Sequence, residues 1–310
     1  MNTYYYHIYG LTLASPIEFP EALEVASPKT IDATLSFSAP PDWVLQEYKE
    51  GKYASVKQNV MWFRLEEELL IYVANGSDVR VHLLNPNIDP VRMRSYILSG
   101  ALTFLLFQHN YILIHGSALV FGGKVYIISG PSGSGKSTTA LELLKQDSVL
   151  FASDDICAVQ NIGNQTILYP GPPWQKVCAD VQAKNTNETY TYINEMDGKF
   201  GRRLPTGYIT EPTPVGGMFI LSKESCRQPV LTEFTGVNKL HALTHNLFRG
   251  ELLHLLGITP QRMTQFLETV KHFPIYNITR PENGDTLSSI TQLLLSCIKN
   301  ITNLQEFLHA

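Results

Sequence analysis

The first 85 residues alternate apolar and polar positions in short runs, which is the pattern of β-strands that bury one face. β-branched and aromatic residues are concentrated in these runs, and turn-forming residues separate them. The predicted strands cover residues 4–13, 33–37, 53–65, 69–73 and 79–84. We therefore predict a β-rich N-terminal domain over residues 1–88, and no catalytic constellation of side chains is apparent within it.

The pattern changes to a helical period after residue 88. Asp89 and Pro90 form an N-cap followed by proline at the first helical position, and they predict a helix that extends to about Phe107. The apolar run over residues 96–114 is interrupted by polar side chains and is too short to span a bilayer. We interpret it as a buried helix, place the domain boundary at 88/89 and predict no membrane association.

Residues 89–310 alternate strands with helices, which predicts a second domain of the α/β class. The further predicted strands are 111–121, 125–128, 149–152, 217–221, 230–234 and 274–279. The further predicted helices are the stretch after residue 137 and residues 238–256, 260–272 and 286–299. Residues 160–215 are rich in Pro, Gly, Asn and Thr, so we predict a long irregular region of the kind that forms lids or binding loops.

Residues 130–137 spell Gly-Pro-Ser-Gly-Ser-Gly-Lys-Ser, the G-x-x-x-x-G-K-S/T motif, between a predicted strand and a predicted helix. Glycines allow backbone N–H groups to surround phosphate oxygens, and the helix N-terminus adds partial positive charge. We expect Lys136 to reach the β- and γ-phosphates and Ser137 to bind Mg²⁺. The predicted ATP-binding residues are Gly130, Ser132, Gly133, Ser134, Gly135, Lys136, Ser137 and Thr138.

Asp154 and Asp155 follow the predicted strand 149–152 directly. A parallel or mixed sheet would place the end of this strand beside the P-loop strand, at the edge where ligands bind. One carboxylate can then assist Mg²⁺ while the other accepts a hydroxyl proton. The alternative is a solvated Asp-Asp turn.

His115 follows the apolar residues 111–114 within the predicted strand 111–121. A predicted hairpin connects this strand to the P-loop strand, so His115 can lie close to the two aspartates. The alternative is a buried histidine with a structural role. Lys199, Arg202 and Arg203 lie in a glycine-containing stretch that we predict to be a loop closing over phosphates or receiving a substrate. Lys176, Arg249 and Arg280 are weaker candidates for the same task.

Charge and cysteine content narrow the class of protein. The formal net charge is −4 and no block rich in Lys or Arg occurs, which disfavours extended nucleic-acid binding. The four cysteines are widely spaced without a C-x-x-C pair, which fits neither a zinc site nor a disulfide framework. No secretory signal is evident. We therefore expect a cytoplasmic protein.

Three features in close succession resemble the HPr kinase/phosphorylase superfamily. These are His115-Gly116, the P-loop at residues 130–137 and the pair Asp154-Asp155. The N-terminal segment, with Tyr-Gly-Leu at residues 9–11, looks more like the divergent HPr-kinase-related branch, which includes kinases similar to those of lasso-peptide precursors. The resemblance implies a P-loop kinase core of the HPr kinase/phosphoenolpyruvate-carboxykinase-like type.

The resemblance also implies roles and partners. Asp154 would act as base on a serine hydroxyl, Asp155 and Ser137 would attend Mg²⁺, and His115 would support the pair. We expect an ATP-dependent serine kinase that modifies a peptide or small protein, a lasso-type precursor peptide being one such acceptor, and that forms a homo-oligomer. The alternatives are a kinase of a small molecule such as free serine, and a nucleotide-sensing regulator with little turnover.

Overall fold

In the computed structural model, which describes residues 2–184, 189–194, 199–252 and 257–309, the β-rich start of the chain forms an eight-stranded sheet. Its strands are β1 (Tyr4–Ile8), β2 (Leu11–Ser15), β3 (Leu23–Glu24), β4 (Ala33–Phe37), β5 (Ala54–Lys57), β6 (Val60–Leu65), β7 (Leu69–Ala74) and β8 (Asp78–Leu83). The strand order is β3-β1-β2-β4-β8-β7-β6-β5. Two predicted strands are in fact hairpins, because residues with positive φ turn the chain at Tyr9-Gly10 and at Gln58.

Helix α1 (Asp42–Lys49), which the sequence analysis did not predict, buries Val44 against one face of this sheet beside Trp62. The predicted helix after residue 88 is present as α2 (Pro90–Tyr96), a π-helical turn (Ile97–Ala101) and α3 (Leu102–Gln108). The Asp89 carboxylate accepts a hydrogen bond from the backbone N–H of Arg92 at 2.9 Å, which confirms the N-cap. Within the described residues, no helix combines the length and apolar character needed to cross a membrane.

The second part of the chain contributes two more sheets. Its strands are β9 (Ile112–Phe121), β10 (Lys124–Ser129), β11 (Leu150–Ile162), β12 (Gln165–Tyr169), β13 (Trp174–Cys178), β14 (Thr191–Asn194), β15 (Lys199–Arg203), β16 (Thr213–Glu224), β17 (Val230–Glu233) and β18 (Ile275–Pro281). The larger sheet has the order β10-β9-β11-β12-β16-β18-β17, and the smaller one β13-β15-β14. Because β10 also pairs with β16 in parallel, five strands of the larger sheet close a circuit.

The prediction of a long irregular region over residues 160–215 is wrong. This stretch contains β12, β13, β14 and β15, helix α5 (Ala179–Lys184) and the first residues of β16; residues 185–188 and 195–198 lie outside those described. These strands are short and rich in polar residues, so they lack the apolar runs by which strands are recognised in a sequence. Their backbone pairing with other strands defines them instead.

The remaining helices pack on the larger sheet. They are α4 (Lys136–Leu143), α6 (Gly236–His245), Pro260–His272 and Leu287–His309. Helix α6 ends earlier than the predicted helix 238–256, whose last four residues lie outside those described. It ends because the next residues leave the helix to pair with β9, through the bridge between Ile114 and Leu247.

Buried side chains from both parts of the chain pack in one apolar cluster. Phe63 of the first sheet, Phe104 of α3 and Ile114 and Ile127 of the second sheet all belong to it. A second cluster, between the larger sheet, α4 and the C-terminal helix, includes Ile128 and Leu143. The chain is therefore a mixed α/β protein, and the division into domains at residue 88 stays a prediction.

Gly116 of β9 is a position where the packing of the larger sheet excludes a side chain. A Cβ built there lies 2.5 Å from the carbonyl oxygen of Ile128. We expect Gly116→Ala to lower the free energy of unfolding by about 1–3 kcal/mol, the usual effect of overpacking a core. Urea denaturation measures the change.

Gly250→Ala is the matched control, because the nearest atom to its Cβ would be 3.5 Å away, which is ordinary contact. We expect this variant to stay within about 0.5 kcal/mol of the wild type. Equal unfolding curves for the two variants would contradict the packing argument for Gly116.

Candidate active site

The P-loop connects the end of β10 to the start of α4. Gly130 has φ 135°, and a Cβ at this position would lie 2.3 Å from the carbonyl oxygen of Leu221. Gly133 and Gly135 have φ values of 74° and 103°. Glycine adopts such conformations readily whereas other residues do not, so the turn from strand to helix requires the glycines of the motif.

Two cationic side chains donate hydrogen bonds to carbonyl oxygens of the loop. Lys136 Nζ donates hydrogen bonds to the carbonyl oxygens of Gly130 (2.8 Å) and Pro131 (3.1 Å). Arg280, from β18, donates through Nε to the carbonyl oxygen of Ser134 at 3.0 Å. Among the described residues, no side chain caps the N-terminus of α4 with a hydrogen bond. The N–H groups of its first turn have no partner within the helix and are suited to an anion.

Ser134 gives a further sign that the loop fits a phosphate. Its hydroxyl is buried, and among the described residues it has no hydrogen-bond partner. A buried hydroxyl without a partner is unfavourable, and a phosphate oxygen is an acceptor that would satisfy it.

The two aspartates lie on the third of three adjacent strands. Ser129 of β10 is opposite Gly116 of β9, and Gly116 is opposite Asp155 of β11. Two strand spacings, about 10 Å, therefore separate the start of the P-loop from Asp155. The prediction that this strand would lie directly beside the P-loop strand is wrong, because β9 lies between them and pairs antiparallel with both.

Strand β11 does not end at the aspartates, as the sequence analysis expected, but continues to Ile162. The pair instead follows a shift in register between Phe151 and Ser153, and Asp155 has φ 70°. Such bulges redirect side chains in the middle of a strand. Asp154 and Asp155 interrupt the apolar run of β11. In the sequence, such an interruption looks the same as the end of a strand.

Asp154 is held by two neutral donors. The Ser117 hydroxyl donates to Oδ1 at 2.6 Å, and the backbone N–H of Lys176 donates to Oδ2 at 2.8 Å. Desolvation is the largest influence on this carboxyl and raises its pKa to about 6, and these two hydrogen bonds only partly offset it. Asp154 can therefore exchange a proton near neutral pH.

The Asp155 carboxylate lies between a lysine ammonium and an imidazole ring. Lys176 Nζ lies 2.9 Å from Oδ2, and His115 Nδ1 lies 3.5 Å from Oδ1. Desolvation alone would raise the pKa of Asp155, but Lys176, His115 and Lys199 together lower it to about 2. Asp155 is thus ionised throughout the physiological range, and its charge in turn raises the pKa of Lys176 against the effect of burial.

His115 connects the carboxylates to the P-loop strand. The Nδ1 atom of His115 is 3.2 Å from the backbone carbonyl oxygen of Asp155. The Ser129 hydroxyl lies 2.6 Å from the backbone carbonyl oxygen of His115. Desolvation lowers the pKa of His115, so the imidazole is neutral at neutral pH. Its backbone N–H donates to the carbonyl oxygen of Asn246 at 2.8 Å.

Residues 246–248 take the place of β10 along β9. Beyond Gly116 the edge of β9 is no longer paired with β10, and the N–H of Phe248 donates to the carbonyl oxygen of Leu113 instead. A cavity of about 490 Å³ lies beside β9, at the point where residues 246–248 replace β10 as its partner. His115, residues 130–132 of the P-loop and Arg249 are among its lining residues.

The predicted basic cluster is divided in the structure. Lys199, Arg202 and Arg203 lie on β15 and not in a loop, which corrects the prediction. Lys199 lies close enough to the carboxylates to lower the pKa of Asp155. Arg202 donates to Gln175 Oε1 (2.9 Å) and Arg203 to the carbonyl oxygen of Pro20 (2.6 Å). These two arginines and Thr138 line a cleft of about 1130 Å³ beside α4.

Three cations that the sequence ranked lower are close to the site. Lys176 forms the ion pair with Asp155, Arg280 contacts the P-loop, and Arg249 lines the cavity beside it. Their signal in the sequence is weak because they are isolated charges on segments far apart in the chain. Only the pairing of β13, β18 and residues 246–248 with other strands brings them together.

A magnesium ion would depend on the nucleotide for most of its ligands. Among the described residues, no group of three or more His, Cys, Asp or Glu side chains could hold a metal ion. Mg²⁺ in nucleotide sites is commonly bound by one or two protein oxygens together with phosphates and water. An ionised Asp155 and the Ser137 hydroxyl are oxygen ligands of this kind, so the residues present fit Mg²⁺ in a complex with ATP.

Comparison with known proteins gives little similarity. No family model and no curated protein matches the chain. Among solved structures, a structure of the HPr(Ser) kinase/phosphatase from Coxiella burnetii aligns with 64% of this chain and 96% of its own. The sequence identity is 14% and the TM-score is 0.34.

The raised pKa of Asp154 predicts a pH dependence of stability. The protonated form is favoured in the folded chain, so this residue stabilises the fold below pH 4, and the stabilisation is lost as the pH rises through about 6. Asp154→Asn removes the titration and retains an oxygen for the Lys176 N–H. Between pH 4 and pH 7, the unfolding free energy of this variant should gain roughly 2 kcal/mol relative to the wild type, because the unfolded carboxyl is already partly ionised at pH 4.

Asp155→Asn is the matched control. Because the pKa of Asp155 is about 2, this residue is ionised in the folded state throughout that range, and the stability it confers is lost only as the pH falls through about 2. From pH 5 to pH 7 the difference between this variant and the wild type should change less than that of Asp154→Asn, because Asp154 still titrates and loss of the Asp155 charge only lowers its pKa. Urea denaturation at several pH values measures both variants, and a constant difference for Asp154→Asn would contradict the assignment.

Proposed function

We propose that this protein is an ATP- and Mg²⁺-dependent kinase that transfers the γ-phosphoryl group to a serine hydroxyl of a peptide or small protein. The observation that carries the proposal is the register of Ser129, Gly116 and Asp155 across three adjacent strands. This register places the P-loop about 10 Å from two carboxylates whose surroundings differ. Phosphoryl transfer depends on positioning and electrostatics of this kind.

The P-loop side of the site would hold the triphosphate. The N–H groups at the start of α4 and the Lys136 ammonium would bind phosphate oxygens, and Arg280 would keep the loop in place through Ser134. Lys176, Lys199 and Arg249 add positive charge on the side of the carboxylates and the cavity. Such charge stabilises the negative charge that develops on the transferred group.

The two aspartates are suited to different tasks. Asp155, ionised and paired with Lys176, would hold Mg²⁺ together with Ser137. The metal, when bound, would neutralise charge on the β- and γ-phosphates. Within the part of the chain that the structure describes, the hydrogen bonds to the Asp154 carboxylate come from neutral groups, and Asp154 can take up a proton, so it would act as base on the acceptor hydroxyl. His115, neutral and next to Asp155, would support the orientation of the pair.

The acceptor class is inferred from the order of motifs along the chain, which resembles the HPr kinase superfamily. A small-molecule kinase that uses free serine is the alternative on the same site. A nucleotide sensor is disfavoured because it needs no second, desolvated carboxylate, and Asp154 is one. A homo-oligomer and a cytoplasmic location stay predictions.

Lys136→Ala should weaken ATP binding by at least about 10-fold, because a charge-assisted hydrogen bond to phosphate contributes roughly 1.5–3 kcal/mol. Titration calorimetry with ATP and Mg²⁺ measures the affinity. Lys271→Ala is the control, since this exposed lysine pairs with Glu268 on the helix Pro260–His272, outside the site. Wild-type affinity in Lys136→Ala would contradict the assignment of the phosphate site.

Asp154→Asn should bind ATP and Mg²⁺ as the wild type does but transfer phosphate about 10²–10⁴-fold more slowly, which is the usual contribution of a positioned base. Asp155→Asn should lose Mg²⁺-dependent affinity as well as rate. γ-labelled ATP with either free serine or a serine-containing peptide measures transfer and separates the two acceptor classes. Near-normal turnover in both variants would refute the proposed function.

A further inference from the structure

The P-loop leaves the larger sheet after Ser129, and at this point the partner of β9 changes. Strand β10 pairs with β9 as far as Ser129 and Gly116. One residue earlier along β9, the N–H of His115 donates instead to the backbone carbonyl oxygen of Asn246 at 2.8 Å. Asn246 therefore occupies the first position beside β9 that β10 no longer fills.

The Asn246 side chain reaches back to β10. Its Oδ1 lies 2.9 Å from the Ser129 hydroxyl, and its Nδ2 donates to the carbonyl oxygen of Ala242 at 2.8 Å. The bond to Ala242 fixes the orientation of the amide, because a carbonyl oxygen can accept only from the NH₂ group. Oδ1 is then the atom that faces Ser129, and it accepts from that hydroxyl.

Ser129 is the residue directly before the P-loop, and its side chain is fully buried. Its hydroxyl also lies 2.6 Å from the carbonyl oxygen of His115. The single hydroxyl hydrogen is thus shared between two acceptors, one on β9 and one on Asn246. Because a buried polar group that loses its partner is unfavourable, this network favours one arrangement of the three residues.

Asn246 also begins one wall of the cavity beside the P-loop. It is the C-cap residue of α6. Arg249, three residues later, has φ 50°, a backbone conformation that a non-glycine residue keeps only where its surroundings hold it. Asn246, Arg249 and His115 line the cavity together with residues 130–132. A displacement of Asn246 would therefore move this wall as well as the end of β10.

We propose that Asn246 is a positioning residue of the candidate active site. Its backbone holds His115 and its side chain holds Ser129, so one residue fixes where the P-loop begins relative to His115 and the cavity. The pairing of β10, β9 and β11 sets the spacing of the strands, and Asn246 fixes the end of β10 within that frame. The catalytic part of this inference rests on the proposed function.

Asn246→Ala tests this role, with Asn161→Ala as the matched control. The Asn161 amide likewise donates to a helix carbonyl oxygen, that of Gln265 (2.9 Å), and accepts from the Thr166 hydroxyl (2.8 Å). Both asparagines are half-buried. Asn161 lies on β11, about 20 Å beyond Asp155 along the strand. Each substitution removes comparable hydrogen bonds, but only Asn246 adjoins the P-loop.

We expect Asn246→Ala to lower kcat about 10- to 100-fold with KM for ATP unchanged, because a slightly misplaced catalytic group costs rate while the phosphate-binding N–H groups remain. Asn161→Ala should leave both constants unchanged. Steady-state kinetics with γ-labelled ATP and a serine-containing peptide measures them. Equal losses of kcat in the two variants would assign Asn246 to general stability and overturn the inference, and so would wild-type kcat in Asn246→Ala.

Ser129→Ala removes the other member of the same hydrogen bond, and it carries the test if Asn246→Ala does not fold. It should lower kcat as Asn246→Ala does. The double variant should lose less than the product of the two single losses, because the residues act through one contact. Losses that multiply in full would overturn the proposed contact.

Hydrogen exchange in the nucleotide-free protein supplies a readout that needs no activity. The N–H groups of His115 and Phe248 donate across the junction between β9 and residues 246–248. They should exchange faster in Asn246→Ala than in the wild type and remain unchanged in Asn161→Ala. Equal effects of the two substitutions on this exchange, or none, would overturn the inference. If the wild type transfers no phosphate, the proposed function falls, and the exchange experiment alone decides whether Asn246 fixes the end of β10.

Discussion

Strand β9 lies between the P-loop strand and the strand of the two carboxylates, and it packs so closely on its neighbours that Gly116 has no room for a side chain. This contact sets the register of Ser129 and Asp155. A shift by one residue would move every side chain of β9 to the opposite face, His115 included. Strand pairing therefore sets the distance between the loop at residues 130–137 and the two carboxylates.

Within this frame, the two adjacent aspartates differ because their donors differ. Asp155 faces the Lys176 ammonium and His115, whereas Asp154 is bonded to a serine hydroxyl and a backbone N–H. Two neighbouring carboxylates with equal surroundings would compete for the same proton. Unequal surroundings place one pKa well below and the other well above the ordinary value, so one carboxylate stays ionised while its neighbour can take up a proton near neutral pH.

The sequence predicted the parts of this protein that depend on local chemistry. The strand, loop and helix around residues 130–137, the N-cap at Asp89 and most strands of the first sheet follow from turn residues and periodicity, and the structure has them where expected. Predictions from the sequence failed where pairing between distant segments overrides the local pattern of apolar and polar residues. The strands within residues 160–215 are such a case, and so is the continuation of β11 beyond Asp155. Lys176 reaches the site only through contacts with residues distant in the sequence, which periodicity and motifs do not encode.

The pairing of residues 246–248 with β9 has a consequence for how the site comes into existence during folding. The hydrogen bond from Ser129 to Asn246 joins residues 117 positions apart, and the parallel pairing of β10 with β16 likewise links distant segments. Contacts of such long range form slowly, because a large loop must be closed before they stabilise the chain. A nascent chain that has completed only the P-loop therefore has the motif without the cavity beside it. The loop at residues 130–137 acquires these surroundings only after β16 and residues 246–248 have also been synthesised and folded.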